Sequence, residues 1–154
     1  MTENRPDALA RLDVFIGDWS MAARFPGDPG ADGGPVGRSR FEWALGGQFL
    51  LQHVEIPIPE APDSLAIVGT DPRTGDYAQH YYDSRGVARV YAMSFTNGLW
   101  TLTRESADFS PLDFGQRFTG TFSADRNTIT GAWEKCPDGA EWEHDFALTY
   151  HRTT

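Results

Sequence analysis

Short runs of alternating hydrophobic and polar residues fill most of the chain after residue 17, and this period of two predicts β-strands that bury one face. Clusters of Gly, Pro, Asn and Asp separate the runs and indicate turns between antiparallel strands. Because no second helical run lies between them, parallel βαβ units are excluded. We predict ten strands, at residues 18–25, 37–45, 48–56, 65–70, 77–83, 87–96, 99–105, 116–123, 128–135 and 141–150.

The segment before the first strand has a different period. A proline at position 6 fits the first turn of a helix, and Gly17 can end that helix. The hydrophobic residues between them recur at helical spacing, at Leu9, Leu12, Phe15 and Ile16. We therefore predict one short helix over residues 6–16.

The connections between the predicted strands alternate in length. Those at 26–36, 57–64, 84–86, 106–115 and 136–140 are mostly long, and those at 46–47, 71–76, 97–98 and 124–127 are mostly short. Successive connections of a meander fall at opposite ends, so one end carries the long loops and the helix can close the other. Closure is favoured because it removes exposed sheet edges. The sequence predicts one all-β domain over 1–154, an up-and-down antiparallel barrel of about ten strands plugged by the N-terminal helix.

Composition and charge narrow the classes of partner. The 154 residues include 13% aromatic side chains and carry a formal net charge of −9, which disfavours nucleic acids and anionic membranes. Cys136 is the only cysteine, so no internal disulfide can form. Residues 1–13 have no signal-peptide pattern, and no run is long enough to cross a bilayer, so we expect a cytoplasmic protein.

Several motifs resemble one group of barrels. Gly17-Asp18-Trp19 after a short helix resembles the Gly-x-Trp signature that opens calycin barrels, the lipocalin and fatty-acid-binding group. The segment 41–50, FEWALGGQFL, is similar to the second hairpin of nitrobindin-like barrels. With an Asp-Pro-x-Thr-Gly turn and a final Asp-Phe-x-Leu-Thr-Tyr strand, essentially the whole chain resembles an uncharacterised bacterial family of lipocalin-like domains. The resemblance implies a calycin-like fold and no particular activity.

Alternation along each strand predicts which side chains point into the lumen. Strand 2 is expected to contribute Leu45 to the lumen. The inward face stays open on three strands: strand 3 can present His53 or Gln52, strand 5 can present Tyr82 or Tyr81, and strand 6 can present Arg89 or the opposite face. Ligand sites favour barrel mouths. The predicted ligand-binding residues are Trp43, His80, Tyr82, Arg89, Tyr91, Arg104, Trp133, Trp142, His144 and Phe146.

Two kinds of residue define the predicted chemistry of this lumen. Aromatic walls favour a small, largely apolar molecule, while Arg104 and His144 near the long-loop end would orient a carboxylate or other polar head. A buried guanidinium needs a counter-charge, so Arg104 is expected either to pair with Glu105 or Asp108 or to contact the ligand.

Other functions stay open at this point. The four histidines lack metal-ligand spacing, and we expect no metal and no cofactor, although the nitrobindin resemblance implies haem ligation through His144. A cofactor-independent lyase, isomerase or cyclase could use His144 or His80 with Tyr82, Tyr91 or Glu134. The third possibility is a structural or partner-binding barrel whose lumen is filled by its own side chains. Phe109 and Phe114 in the 106–115 connection are expected to pack locally on the barrel rim, and a lid or a homodimer contact are the alternatives.

Overall fold

The computed structural model describes residues 7–24, 36–57, 61–71, 73–105, 108, 114–137 and 141–153. All ten predicted strands are confirmed, with ends within two residues of the prediction. They are β1 (Gly17–Arg24), β2 (Val36–Ala44), β3 (Phe49–Glu55), β4 (Ser64–Thr70), β5 (Tyr77–Asp83), β6 (Ala88–Thr96), β7 (Leu99–Arg104), β8 (Phe114–Phe122), β9 (Thr128–Pro137) and β10 (Glu143–Arg152).

The ten strands close into the predicted up-and-down barrel. Each strand pairs antiparallel with its neighbours in sequence, and β1 pairs with β10 to complete the ring. In this closing pair Trp19 lies opposite Arg152 and Met21 opposite Tyr150. In the part of the chain that the structure describes, no helix is long and apolar enough to span a membrane.

The predicted helix is present but is built from two short segments, which we call the plug. An α-helix, α1 (Asp7–Ala10), continues directly into a 3₁₀ helix at Arg11–Phe15. A 3₁₀ helix places residues i and i+3 on the same side, and Leu12 and Phe15 have this spacing. Together with Leu9 they are at most 1% exposed. The tighter winding therefore places these apolar side chains on the side of the plug that faces the barrel interior.

Side chains from the first and last strands hold the plug in place. The indole N–H of Trp19 donates to the carbonyl of Phe15 at 2.9 Å. The Arg152 guanidinium donates to the carbonyls of Val14 (2.6 Å) and Ile16 (2.7 Å) and lies 4.1 Å above the Trp19 ring. These donors satisfy carbonyls that the end of a short helix leaves without intrahelical partners.

The plug closes the end of the barrel that carries the tight turns, as predicted. Arg152 also donates to the carbonyl of Arg126 in the β8–β9 turn, at 3.2 Å. At the same end, Asn97 (φ 51°) and Gly98 (φ 79°) adopt the left-handed backbone of a two-residue hairpin. Leu45 does not face the lumen as expected, because it occupies a left-handed turn position (φ 54°) and is 77% exposed.

Aromatic side chains fill the plug half of the lumen. Phe15 is fully buried at ring distances of 5.0–5.2 Å from Phe41, Phe95, Trp100 and Phe122. Edge-to-face and tilted contacts of this kind pack without voids. The lower half of the lumen is therefore a solid core, and a site for a small molecule has to lie nearer the opposite end.

Candidate functional site

Polar and charged side chains enter the lumen in the half away from the plug, which we call the upper lumen. Most of its inward-facing residues are half-buried, whereas the core around the plug is almost completely buried. Over the described residues, the upper lumen is therefore more accessible to solvent than the core around the plug. Its residues come from β5 to β10 and are Tyr81, Asp83, Arg89, Tyr91, Arg104, Gln116, Trp133 and Phe146.

Arg104 faces inward as predicted and is paired with Asp108. The Arg104 Nε and Nη2 atoms donate to the two carboxylate oxygens of Asp108, each at 2.9 Å, and the two side chains are only 2% and 9% exposed. Asp108 also accepts a 2.7 Å hydrogen bond from the backbone N–H of Val90. Of the two carboxylates considered from the sequence, Asp108 is thus a structural partner, and it compensates the charge of Arg104.

Arg89 lies in the upper lumen with neutral neighbours. Its Nη1 atom donates to Oε1 of Gln116 at 3.3 Å, and the hydroxyl of Tyr91 donates to the same oxygen at 3.1 Å. The Arg89 Nε–H is buried without a hydrogen-bond partner. Among the described residues, no carboxylate lies within ion-pair distance of this guanidinium. Burial raises the pKa of the Tyr91 hydroxyl, and the nearby positive charge of Arg89 partly offsets that effect.

A second acidic group lies at the end of β5, near the rim. Asp83 accepts a hydrogen bond from the Tyr81 hydroxyl (2.9 Å) and pairs with Arg85 (2.6 Å). Burial alone would raise the pKa of Asp83, but the hydrogen bonds from Arg85 and Tyr81 outweigh it and lower the pKa from 3.8 to about 2. Asp83 is therefore ionised at neutral pH and is already matched by a cation.

This pairing predicts an acid-sensitive contribution to stability. Because the pKa of Asp83 is lower in the folded state, its contribution is present above pH 4 and is lost as the pH falls towards 2. We expect Asp83→Asn to lower the free energy of unfolding at pH 7 by about 1–2 kcal/mol, since water screens the exposed Arg85. Urea unfolding from pH 7 to pH 2 would show the difference from wild type shrinking below pH 4. The exposed Asp76→Asn serves as the control, and a difference independent of pH would contradict the prediction.

Aromatic rings wall the upper lumen. Trp133 lies 5.7 Å from the Tyr91 ring and 5.3 Å from the Phe118 ring, both measured between ring centroids. Tyr81 meets Tyr91 edge-on at 6.3 Å. Phe146 lies opposite Trp133 in the pairing of β10 with β9 and faces the same space. The inward orientation predicted for Trp133 and Phe146 therefore agrees with the structure. The choice left open on strand 6 is resolved, because Arg89 and Tyr91 share the inward face of β6.

A buried polar cluster lies deeper, where β2, β3 and β10 face the lumen. The side-chain N–H₂ of Gln52 donates to the hydroxyls of Ser39 (3.0 Å) and Tyr150 (3.3 Å). Burial raises the pKa of Tyr150 to about 12, so its hydroxyl stays protonated. The structure thereby resolves the choice on β3: Gln52 points inward, and His53 points outward to Glu42.

Two of the predicted lumen residues, Trp142 and His144, lie instead on the outer face. A β-bulge between His144 and Phe146 shifts the register of β10 by one residue, so His144 lies opposite the outward-facing Glu134 and is exposed. Trp142 stacks on the guanidinium of Arg117 at 4.3 Å, on the same outer face. Arg117 in turn pairs with Glu134 at 2.7 Å. The expected inward orientation of both residues is wrong.

Three other predicted residues are also away from the upper lumen. His80 and Tyr82 point outward, because the neighbouring Gln79 and Tyr81 occupy the inward positions of β5, and Tyr82 is 40% exposed. Trp43 faces inward at the plug end, where its indole N–H donates to Asp13 at 2.8 Å. Phe114 is half-buried at the start of β8, and Phe109 lies outside the described residues.

The positions of the histidines bear on the cofactor and enzyme alternatives. All four histidines of the sequence are described, and strand pairing places each on the outer face. Haem ligation from the lumen through His144 does not fit this placement. The residues considered for proton transfer do not meet in the lumen, since Tyr91 is inside the barrel whereas His80, Tyr82, Glu134 and His144 are outside, where His144 lies opposite Glu134. Within the described ranges, no group of three or more His, Cys, Asp or Glu could hold a metal ion.

Two open grooves lie beside the plug, at the other end from the upper lumen. Their volumes are about 500 and 430 Å³, and both are lined by Arg11, Val14 and Arg126. No sequence pattern indicates these grooves, because they form between a helix and turns that are distant in the chain. They offer a second place where an anion could associate, which any binding experiment has to separate from the upper lumen.

Comparison with known proteins supports the fold. No protein-family model matches the chain, and no curated protein matches it either. Among solved structures, the chain is similar to one described as "Crystal Structure of Rv2717c from M. tuberculosis", with a TM-score of 0.64 and 13% sequence identity. The match covers 98% of this chain and 100% of that one. At this identity the similarity shows a shared barrel fold and carries no information about the ligand.

Proposed function

We propose that this protein is a calycin-type binding barrel that takes up a small molecule with an apolar body and an anionic head in the upper lumen. The observation that carries the proposal is Arg89. Its guanidinium lies among aromatic walls. Among the residues that the structure describes, its Nε–H has no hydrogen-bond partner, and its one side-chain hydrogen bond goes to the neutral amide of Gln116. A cation in such surroundings is stabilised by a ligand that brings the opposite charge.

The charges of the other groups support the same assignment. Arg104 is neutralised by Asp108, and Asp83 is neutralised by Arg85. Arg89 therefore leaves the described part of the upper lumen with a net positive charge, although the whole chain is at −9. Tyr91 adds a hydroxyl next to Arg89, through the shared acceptor on Gln116. An anionic oxygen that takes the place of the Gln116 amide oxygen can accept from both the guanidinium and this hydroxyl, which gives the head group a defined position.

The test uses two fluorescent probes that differ by one anionic group. Naphthalene-2-sulfonate carries a sulfonate, and naphthalene has the same two-ring aromatic body without it. We expect Arg89→Met to weaken binding of the sulfonate probe by roughly 10–100-fold, the equivalent of a charged hydrogen bond, and to leave the neutral probe nearly unchanged.

Two arginine variants serve as controls for this measurement. Arg38→Met removes an exposed, outward-facing guanidinium, and Arg126→Met alters both grooves beside the plug. Neither should change the affinity for the sulfonate probe. An equal loss for both probes in Arg89→Met would contradict the proposal, as would a loss that appears in Arg126→Met instead.

A further inference from the structure

The depth of the upper lumen is limited by the ring of Phe118. Phe118 is 1% exposed, and its ring extends across the inward-facing glycines Gly120 and Gly131, which pair with each other on β8 and β9. A Cβ atom would lie 2.5 Å from the ring at Gly131 and 2.8 Å from it at Gly120. The missing side chains therefore make room for Phe118 to lie between the upper lumen and the core.

The space below Phe118 is already occupied. The Phe118 ring packs on Trp100 at 4.9 Å, and Trp100 contacts Phe15 at 5.0 Å and Tyr150 at 5.9 Å. All of these side chains are at most 4% exposed. A flexible acyl chain that entered from the rim could not pass this level without displacing closely packed rings.

The distance between the charged group and this barrier sets the size of the ligand body. Arg89 donates to Gln116, which precedes Phe118 by two residues on β8. Two residues of a β-strand span about 7 Å. The level of Gln116 on β8 is therefore separated from that of Phe118 by about the length of one or two fused aromatic rings, and the rings of Tyr91, Trp133 and Phe118 line this interval.

From this geometry we infer that the ligand is a compact, planar aromatic carboxylate of one or two rings. This inference rests on the proposed function and specifies its ligand class. The Trp133 ring is inclined by 66° to Tyr91 and by 47° to Phe118, so the walls present both ring faces and ring edges. Such surfaces favour offset or edge-to-face packing with a flat aromatic body over contact with a flexible chain, while Arg89 and Tyr91 receive the carboxylate.

Isothermal titration calorimetry with three acids of equal charge tests the inference. The acids are 2-naphthoate, its saturated non-planar counterpart decahydro-2-naphthoate, and decanoate. We expect wild type to bind 2-naphthoate at least 10-fold more tightly than either of the others. Phe118→Ala should open the barrier and narrow the preference for 2-naphthoate over decanoate by at least 10-fold. Phe118→Leu, which keeps more of the core packing, should shift the preference in the same direction if the alanine variant does not fold.

The outcomes separate the inference from the proposed function. Tighter binding of decanoate, or equal binding of the planar and saturated acids, would overturn the ligand class and leave an anion-binding lumen in place. If a folded Phe118 variant kept the same preference for 2-naphthoate over decanoate, Phe118 would not limit the depth of the upper lumen. If none of the three acids binds to wild type, and Arg89→Met does not change binding of the sulfonate probe, both the proposed function and the inference fail.

Discussion

Replacement of Phe15 by alanine is expected to lower the free energy of unfolding by about 3–5 kcal/mol, the range observed for large aromatic residues removed from a core. Phe15 has no exposed surface and contacts four aromatic rings at 5.0–5.2 Å. Those rings come from β2, β6, β7 and β8, so none of them can close the resulting cavity without moving its own strand. Since a domain of this size is typically stable by only about 5–15 kcal/mol, the loss should be a large fraction of the total.

Urea unfolding followed by far-UV circular dichroism would measure this loss, and Phe49→Ala provides a matched control. Phe49 undergoes the same chemical change, but it is 37% exposed on the outside of β3. Its replacement should cost about 1 kcal/mol or less. If the two variants were equally stable, the plug would be an appendage to the barrel rather than part of its core.

The second large effect is expected at the pair formed by Arg104 and Asp108. Asp108→Asn keeps an oxygen that can accept the hydrogen bond from Val90, but it removes the negative charge beside a guanidinium that is 2% exposed. Removing one partner of a buried ion pair typically costs about 3–5 kcal/mol, because the remaining charge loses the counter-charge that faced it. Chemical denaturation of Asp108→Asn, Arg104→Met and the double variant forms a complete cycle.

The double variant distinguishes a charge effect from loss of packing. If uncompensated charge is the cause, Arg104→Met combined with Asp108→Asn should recover a large part of the stability lost in Asp108→Asn alone. The single variant Asp108→Asn should also bind the sulfonate probe more tightly than wild type, because two arginines would then face the upper lumen. If the losses of stability in the two single variants simply added up in the double variant, the two charges would not be coupled, and each side chain would contribute through its own packing.

The barrel could be predicted from the sequence because its main determinants are local. Alternation along each strand and the turn residues between them give strand positions to within two residues, and short connections leave few alternatives to a meander. The stripe of Leu9, Leu12 and Phe15 likewise predicts a buried helix. The 3₁₀ winding of its second half was not predictable, since it depends on how the plug fits the rings beneath it.

The candidate site was predicted less completely, and the errors have identifiable physical causes. A single bulge in β10 reverses the face of every residue before it, and the alternating pattern of residues 142–150 contains no sign of that extra residue. The run His80-Tyr81-Tyr82 carries aromatic rings on both faces, so composition could not identify the inward one. Gln116, which holds Arg89, could have been found from its spacing of two residues before Phe118.

The closing pair between β1 and β10 determines when each part of the molecule can form. Arg152 reaches the plug carbonyls and the Trp19 ring only after the last strand has joined the first, a contact between residues near opposite ends of the chain. Such distant contacts carry a high loop-closure entropy and slow the folding of all-β proteins. By contrast, Arg89, Gln116 and Trp133 come from consecutive hairpins of β6 to β9. The upper lumen can therefore assemble from pairings that are local in sequence, whereas the contacts of Arg152 with the plug require the barrel to be closed first.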